Sequence, residues 1–180
     1  MKRPLPALIL AAALVLPAWA APAQTDPAEP PVVAVPALDF ADSSGEARDQ
    51  TAEHAARLAA FAAALRAGLD ASGQVRTTLP ACDGPCTPQR TPFPRMAEAA
   101  RAAGARLLLV GAVRKTSTLI GSVRLVLVDL DGDRTLCERI LSYRGDIDEA
   151  WARAADFAVE DVLGHCLGPG LDPGSGPAGP

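Results

Sequence analysis

Apolar positions along the chain change period several times, and each change predicts an element. VVAVPALDF at 32–40 is a β-branched run closed by turn residues. It predicts a first strand in which Pro36, having no N–H to donate, marks an edge position or a bulge. From about 50 to 71 the spacing becomes helical. Leu58, Phe61, Leu65 and Leu69 recur three and four residues apart, alanines fill the other faces, and SGQ at 72–74 stops the run. QVRTTL at 74–79 predicts a short strand. Five prolines across 80–95 predict a loop, and MAEAARAAG predicts a brief helix closed by Gly104 in a left-handed cap. ARLLLVGAV at 105–113 is apolar on both faces, as a strand in the middle of a covered sheet must be.

Beyond it, Leu119, Gly121, Val123, Leu125 and Leu127 alternate with Ile120, Ser122, Arg124, Val126 and Val128, and Asp131-Gly132 predicts a two-residue hairpin turn between strands 119–130 and 133–143. In that register Val123 faces Ile140, Leu125 faces Glu138, Ile120 faces Tyr143, and Arg124 opposes Arg139 on the solvated face. DIDEAWARAADFAVEDVLG at 146–164 predicts a final helix with Asp146 as its cap, Glu149 three residues on, and Trp151, Ala155, Ala158 and Val162 as its buried stripe. The order is β-α-β-α-β-β-β-α. It predicts an α/β sandwich of two layers, or with an incomplete third, built on a mixed sheet of about five strands and about three helices.

The two ends change the picture. Lys2 and Arg3 precede an apolar run from Leu5 to Leu16 and then small residues, which predicts a secretory signal peptide over 1–23 cut after Ala20 or Ala23. Prolines at 4, 6 and 17 argue against a membrane anchor, so no transmembrane segment is expected after cleavage. The expected location is the periplasm. Residues 24–31 read as a flexible leader, 32–166 as one α/β domain, and 167–180, dominated by glycine and proline, as a disordered tail. Losing Lys2 and Arg3 takes the formal charge from −4 to −6. A mildly acidic chain of this kind lacks the basic footprint of a nucleic-acid binder.

Familiar chemical motifs fail on spacing. GAVRKTST at 111–118 lacks the glycine spacing of a phosphate loop, and Ser117 and Ser122 lack a nucleophile elbow. His54 and His165, the only histidines, read as satisfied or solvated side chains. DLDGDR at 129–134 resembles a calcium loop, but Arg134 stands where glycine is required and Ile140 where glutamate is. No metal and no cofactor is expected. Cys82, Cys86, Cys137 and Cys166 allow three pairings. In an oxidising compartment they form disulfides. A tight turn between Cys82 and Cys86 favours a local bridge. The climb of the last strand and return of the last helix bring Cys166 back beside Cys137. CDGPC is one residue too long for a redox motif.

Gly111, Val113, Lys115, Ser117, Leu119 and Ile120, then Arg144, Gly145, Asp148, Trp151 and Arg153, together with ARL at 56–58 and GA at 104–105, resemble an exported bacterial family, domain of unknown function 2380. The resemblance spans roughly residues 32–163 and implies no reaction. Element order is also similar to the amino-terminal domain of TolB translocation proteins, which implies an envelope module that contacts protein partners. Association with periplasmic quinoprotein oxidation systems is a further possibility that the resemblance raises. Lys115, Ser117, Arg144, Asp146, Asp148 and Trp151 should gather at one rim of the sheet. There they either stabilise the fold, with Arg144 paired to Asp146 or Asp148, or form a patch for a protein partner or a small ligand. The function expected is a non-enzymatic accessory or protein-binding module of the envelope. A small-ligand module or an enzyme of unrecognised type are the alternatives.

Overall fold

The computed structural model describes residues 29–168. The predicted signal peptide, residues 24–28 of the leader and residues 169–180 of the tail lie outside the described residues. The elements are β1 (Val32–Ala34), β2 (Asp39–Asp42), α1 (Thr51–Ala71), β3 (Arg76–Thr78), α2 (Phe93–Ala102), β4 (Leu107–Lys115), β5 (Ile120–Asp129), β6 (Arg134–Arg144) and α3 (Asp148–His165). They form one six-stranded mixed sheet in the order β3-β1-β4-β5-β6, with β2 also paired to β4. β1, β2 and β3 enter it in parallel; β5 and β6 are antiparallel. The three helices and the element order are those the periodicity predicts.

The expected first strand is two strands. β1 aligns Ala34 with Leu108, whereas β2 aligns Asp39 with Ala112, so the segment around Pro36 carries one residue more than the strand beside it. Since β1 lies between β3 and β4, Pro36 marks the bulge and not an edge.

α1 and α3 cover one face of the sheet. Leu65, Leu69, Leu109, Val113, Val123, Leu127 and Val162 fill the core between them. On the other face a smaller cluster of Ala34, Met96, Ala97, Ala100, Leu108 and Leu130 seats α2, an incomplete third layer. α2 starts at Phe93, earlier than its sequence suggests, because Pro94 falls in the first turn, where no N–H is needed. Gly104 takes φ +78° as the left-handed cap.

Gly68 lets the two helices touch. A Cβ there would stand 2.7 Å from Val159 Cγ2 and 3.3 Å from Val159 Cβ. Valine is stiff in a helix and cannot swing away. Gly68→Ala is therefore expected to destabilise the fold by about 1–3 kcal/mol through overpacking, although alanine is the better helix former. A fall in the urea midpoint with an unchanged m value is the expected readout; a stabilised variant would show that the helices are free to part.

The last hairpin departs from its predicted register. Four residues, 130–133, separate β5 from β6, with Asp133 at φ +47°. Pairing runs Asp129↔Arg134 and Val128↔Thr135 and then jumps to Leu127↔Cys137, leaving Leu136 as a bulge. Every later pair is displaced by one: Val123 faces Leu141, Leu125 faces Arg139, Arg124 faces Ile140, and Ile120 faces Arg144. A one-residue slip exchanges the faces of a strand. The predicted opposition of Arg124 and Arg139 is thereby removed. Arg124 pairs with Glu138 at 2.9 Å on the open face, and Arg139 turns under the helix layer to Asp161 at 2.6 Å.

Candidate functional site

Alternation along β4 puts Leu109, Gly111, Val113 and Lys115 on the helix side, so the buried stripe ends in a lysine. Lys115 is only 2% exposed. An ammonium in such a place is tolerated only if it is paired. Its Nζ donates to Asp146 Oδ2 at 2.7 Å, to Gln50 Oε1 at 2.6 Å and to Glu46, with Asp42 Oδ2 3.8 Å away. The loop between β2 and α1 is also tied to the backbone beneath it. Ser43 N–H and Oγ–H both donate to the Lys115 carbonyl, at 2.8 and 3.1 Å.

Asp146 is the centre of the cluster. Oδ2 receives Lys115 and His54 Nε2 (2.9 Å); Oδ1 receives Arg57 (3.1 Å) and Trp151 Nε1 (3.1 Å). Burial alone would raise this carboxyl. The hydrogen bonds from Lys115, His54 and Trp151 outweigh it and hold Asp146 well below the ordinary carboxylate range. For Lys115 burial opposes the charge, and the bonds to Asp146 and Glu46 overcome it, raising its pKa. Aromatic rings wall the group: Phe40 lies 4.7 Å from His54, and Trp151 lies 5.9 Å from Phe40 and 5.7 Å from Tyr143. Burial, with the Asp146 charge behind it, pushes the Tyr143 phenol far above its usual value, so it stays protonated.

The predicted rim residues therefore divide. Lys115, Asp146 and Trp151 meet, but beneath the surface. Asp148, exposed, joins through Arg57 at 2.8 Å. Ser117 stays in its own turn, its Oγ accepting from the N–H groups of Leu119 and Ile120. Arg144 is exposed and makes neither of its expected pairs: alternation along β6 places it with Glu138 and Ile140 on the open face, and Arg57 of α1 is the arginine that reaches both aspartates. Nor does Asp146 cap α3. Ile147 is the N-cap residue and no side chain caps it; Lys115, His54 and Arg57 from β4 and α1, with the Trp151 indole of α3 itself, take the carboxylate instead. His54, Arg57, Glu46, Gln50 and Asp42 were not anticipated. For His54 a signal existed, since it lies four residues before Leu58 on the helix stripe; Arg57 sits inside the ARL motif.

Above the cluster is a cleft of about 570 Å³ between the β2–α1 loop and the first turns of α1. Phe40, Ala55 and Leu58 supply apolar lining; Asp42, Glu46 and Asp49 are acidic. His54 also lines it; its Nδ1 lies 4.0 Å from Asp42 Oδ2, too far for a hydrogen bond. Among the described residues, no three or more His, Cys, Asp or Glu side chains are placed to hold a metal ion. No helix among them is long and apolar enough to cross a membrane. Both disulfides join the expected partners, Cys82 with Cys86 and Cys137 with Cys166.

Fold and site together define a small α/β module whose sheet end is closed by a buried Lys-Asp-His cluster beneath an open cleft. The chain belongs to the family of proteins of unknown function DUF2380, which matches residues 31–163. Solved structures with a similar fold include the PelC dodecamer from Paraburkholderia phytofirmans, 17% identical over 75% of this chain and 84% of that one, with a TM-score of 0.44. TolB from Acinetobacter baumannii is 17% identical over 75% of this chain and 28% of its own, with a TM-score of 0.45. The LpoB C-terminal domain from Salmonella enterica is 11% identical over 62% of this chain and 81% of its own, with a TM-score of 0.38. No curated protein matches the chain.

Proposed function

We propose that this protein is an exported accessory module of the cell envelope that binds a protein partner and performs no turnover of its own. The observation that carries this reading is the closure of the polar cluster. Lys115, His54, Arg57 and Trp151 all direct their donors at Asp146. Such a cluster knits β4, α1 and the corner before α3 into a scaffold. What it leaves open is the cleft above, of a size suited to a bound side chain or short segment. A signal-like amino terminus and the pairing of all four cysteines support export to an oxidising compartment.

The contact surface in this reading is the cleft, not a patch containing Lys115. A photo-crosslinking amino acid placed at Ala55, exposed at the cleft, is expected to give a light-dependent protein adduct in the periplasmic fraction of intact cells. The same probe at Ala102, on α2, should give none. Recovery of the chain in the cytosol with reactive thiols, or an absence of adducts at Ala55, would overturn the proposal.

A further inference from the structure

β6 is the last strand of the sheet, so one side of its backbone has no neighbour among the described residues. The hydrogen bond from Gly145 N–H to the Leu119 carbonyl (2.9 Å) decides which groups face out. In step with Gly145, residues 143, 141 and 139 direct their backbone groups at β5, while Glu138, Ile140, Ser142 and Arg144 direct theirs to the free edge. Ile120 agrees with this phase: it lies opposite Arg144 and gives its carbonyl to Thr116 N–H on the other side. The Leu136 bulge ends the flat stretch at one end, leaving 138–144 as a regular open edge.

This edge is complementary to itself. An antiparallel second copy related by a two-fold axis through Leu141 sets Glu138 opposite Arg144 of the second copy and Ile140 opposite its Ser142, each pair made of outward-directed backbone groups. Moving the axis to Arg139 would oppose two arginines, and moving it to Glu138 two glutamates. Only the Leu141 axis puts unlike charges together, and it supplies a partner for Arg144, which is exposed and has no ion pair among the described residues of the single chain. Ile140, 68% exposed, stands within the same stretch.

A second observation comes from the helix layer. Phe157 is 52% exposed and lies one turn before Asp161, which holds Arg139 of β6 through Nε (2.6 Å) and Nη2 (2.8 Å). α3 returns along β6 at about 1.5 Å per residue, against about 3.3 Å for the strand. Counting from the contact of Arg139 with Asp161, Phe157 comes level with Leu141. Phe157 is thus on the level of the axis the strand charges select, on the face of α3 that carries Asp161 toward β6.

We propose that this chain forms a two-fold homodimer by antiparallel pairing of its β6 edges about Leu141, with reciprocal Glu138–Arg144 ion pairs on one face and the two Phe157 rings on the other. Sedimentation of the mature, oxidised chain from about 1 to about 100 μM, a span covering modest interfaces, should show a reversible monomer–dimer equilibrium. Ile140→Pro removes an outward N–H only, so it should abolish the dimer while leaving the β5–β6 ladder intact by circular dichroism. Glu138→Arg should weaken association about tenfold or more, and adding Arg144→Glu should restore it. Phe157→Asp should also yield monomer, which keeps the test open should the proline variant misfold. A monomer at every concentration, or a dimer indifferent to Phe157→Asp and to the charge reversals, overturns the proposal.

Discussion

Asp146→Ala is expected to destabilise the fold by about 3–5 kcal/mol, the range for removing one partner from a buried ion pair. The carboxylate is 12% exposed and is the common acceptor for Lys115, His54, Arg57 and Trp151. Its removal strands the Trp151 indole N–H and the His54 ring, each orphaned donor costing about 1–3 kcal/mol. Lys115 keeps Glu46 and Gln50 but loses its firmest counter-charge. In a domain of this size the loss corresponds to a fall in melting temperature of roughly 6–20 °C. Arg144→Ala, at an exposed side chain without an ion pair among the described residues, should stay within about 0.5 kcal/mol in the monomer. Calorimetry of the two variants separates the two sequence-based readings of Arg144 and Asp146: equal losses would mean that Arg144 is part of the cluster after all.

Acidification has a definite sign at the same site. The folded pKa of Asp146 lies below its unfolded value, and that of Asp161, held first by the Arg139 hydrogen bond, is lowered too. Groups depressed in this way contribute stability that is complete above the ordinary carboxylate range. It is lost as pH falls through about 4 and below. Thermal stability should therefore decline on that descent, and the decline should be shallower in Asp146→Ala, which no longer has the proton to take up.

Local periodicity made the architecture legible. The stripe of Leu58, Phe61, Leu65 and Leu69, the left-handed Gly104 and the return of Cys166 to Cys137 each follow from neighbours in the chain or from simple lengths. The cluster was less legible because its parts obey competing local rules. Asp146 with Glu149 three residues on has the form of a capping box, and nothing nearby reveals that distant donors will take the carboxylate. Glu46 and Gln50 lie in a loop without periodicity, so their claim on Lys115 exists only in the folded chain. Lys115 itself continued an apolar alternation, which was a signal of burial that its charge obscured. The Leu136 bulge has no signature in composition, and through it the hairpin register was displaced.

Opening the Cys137–Cys166 bridge should cost more than opening Cys82–Cys86, and the order follows from what each constrains. The first joins residues 29 apart in sequence, the second only 4 apart. In the chain-entropy account the longer loop loses about 3.5 kcal/mol on cleavage and the shorter about 2 kcal/mol. Two features widen the gap. The short loop already contains Pro85, which restricts its unfolded ensemble, so that ensemble gains less freedom on cleavage. Cys166 and Leu167, by contrast, belong to the main core, and their bridge pins the end of α3 to β6 next to the bond between Arg139 and Asp161. Paired serine variants, Cys137→Ser with Cys166→Ser and Cys82→Ser with Cys86→Ser, should thus differ by more than about 1 kcal/mol in urea unfolding. The first should also speed hydrogen exchange at residues 159–167, where α3 would fray. If the short bridge proves the costlier of the two, the final hairpin and helix are held by their packing alone and the long bridge is incidental to the fold.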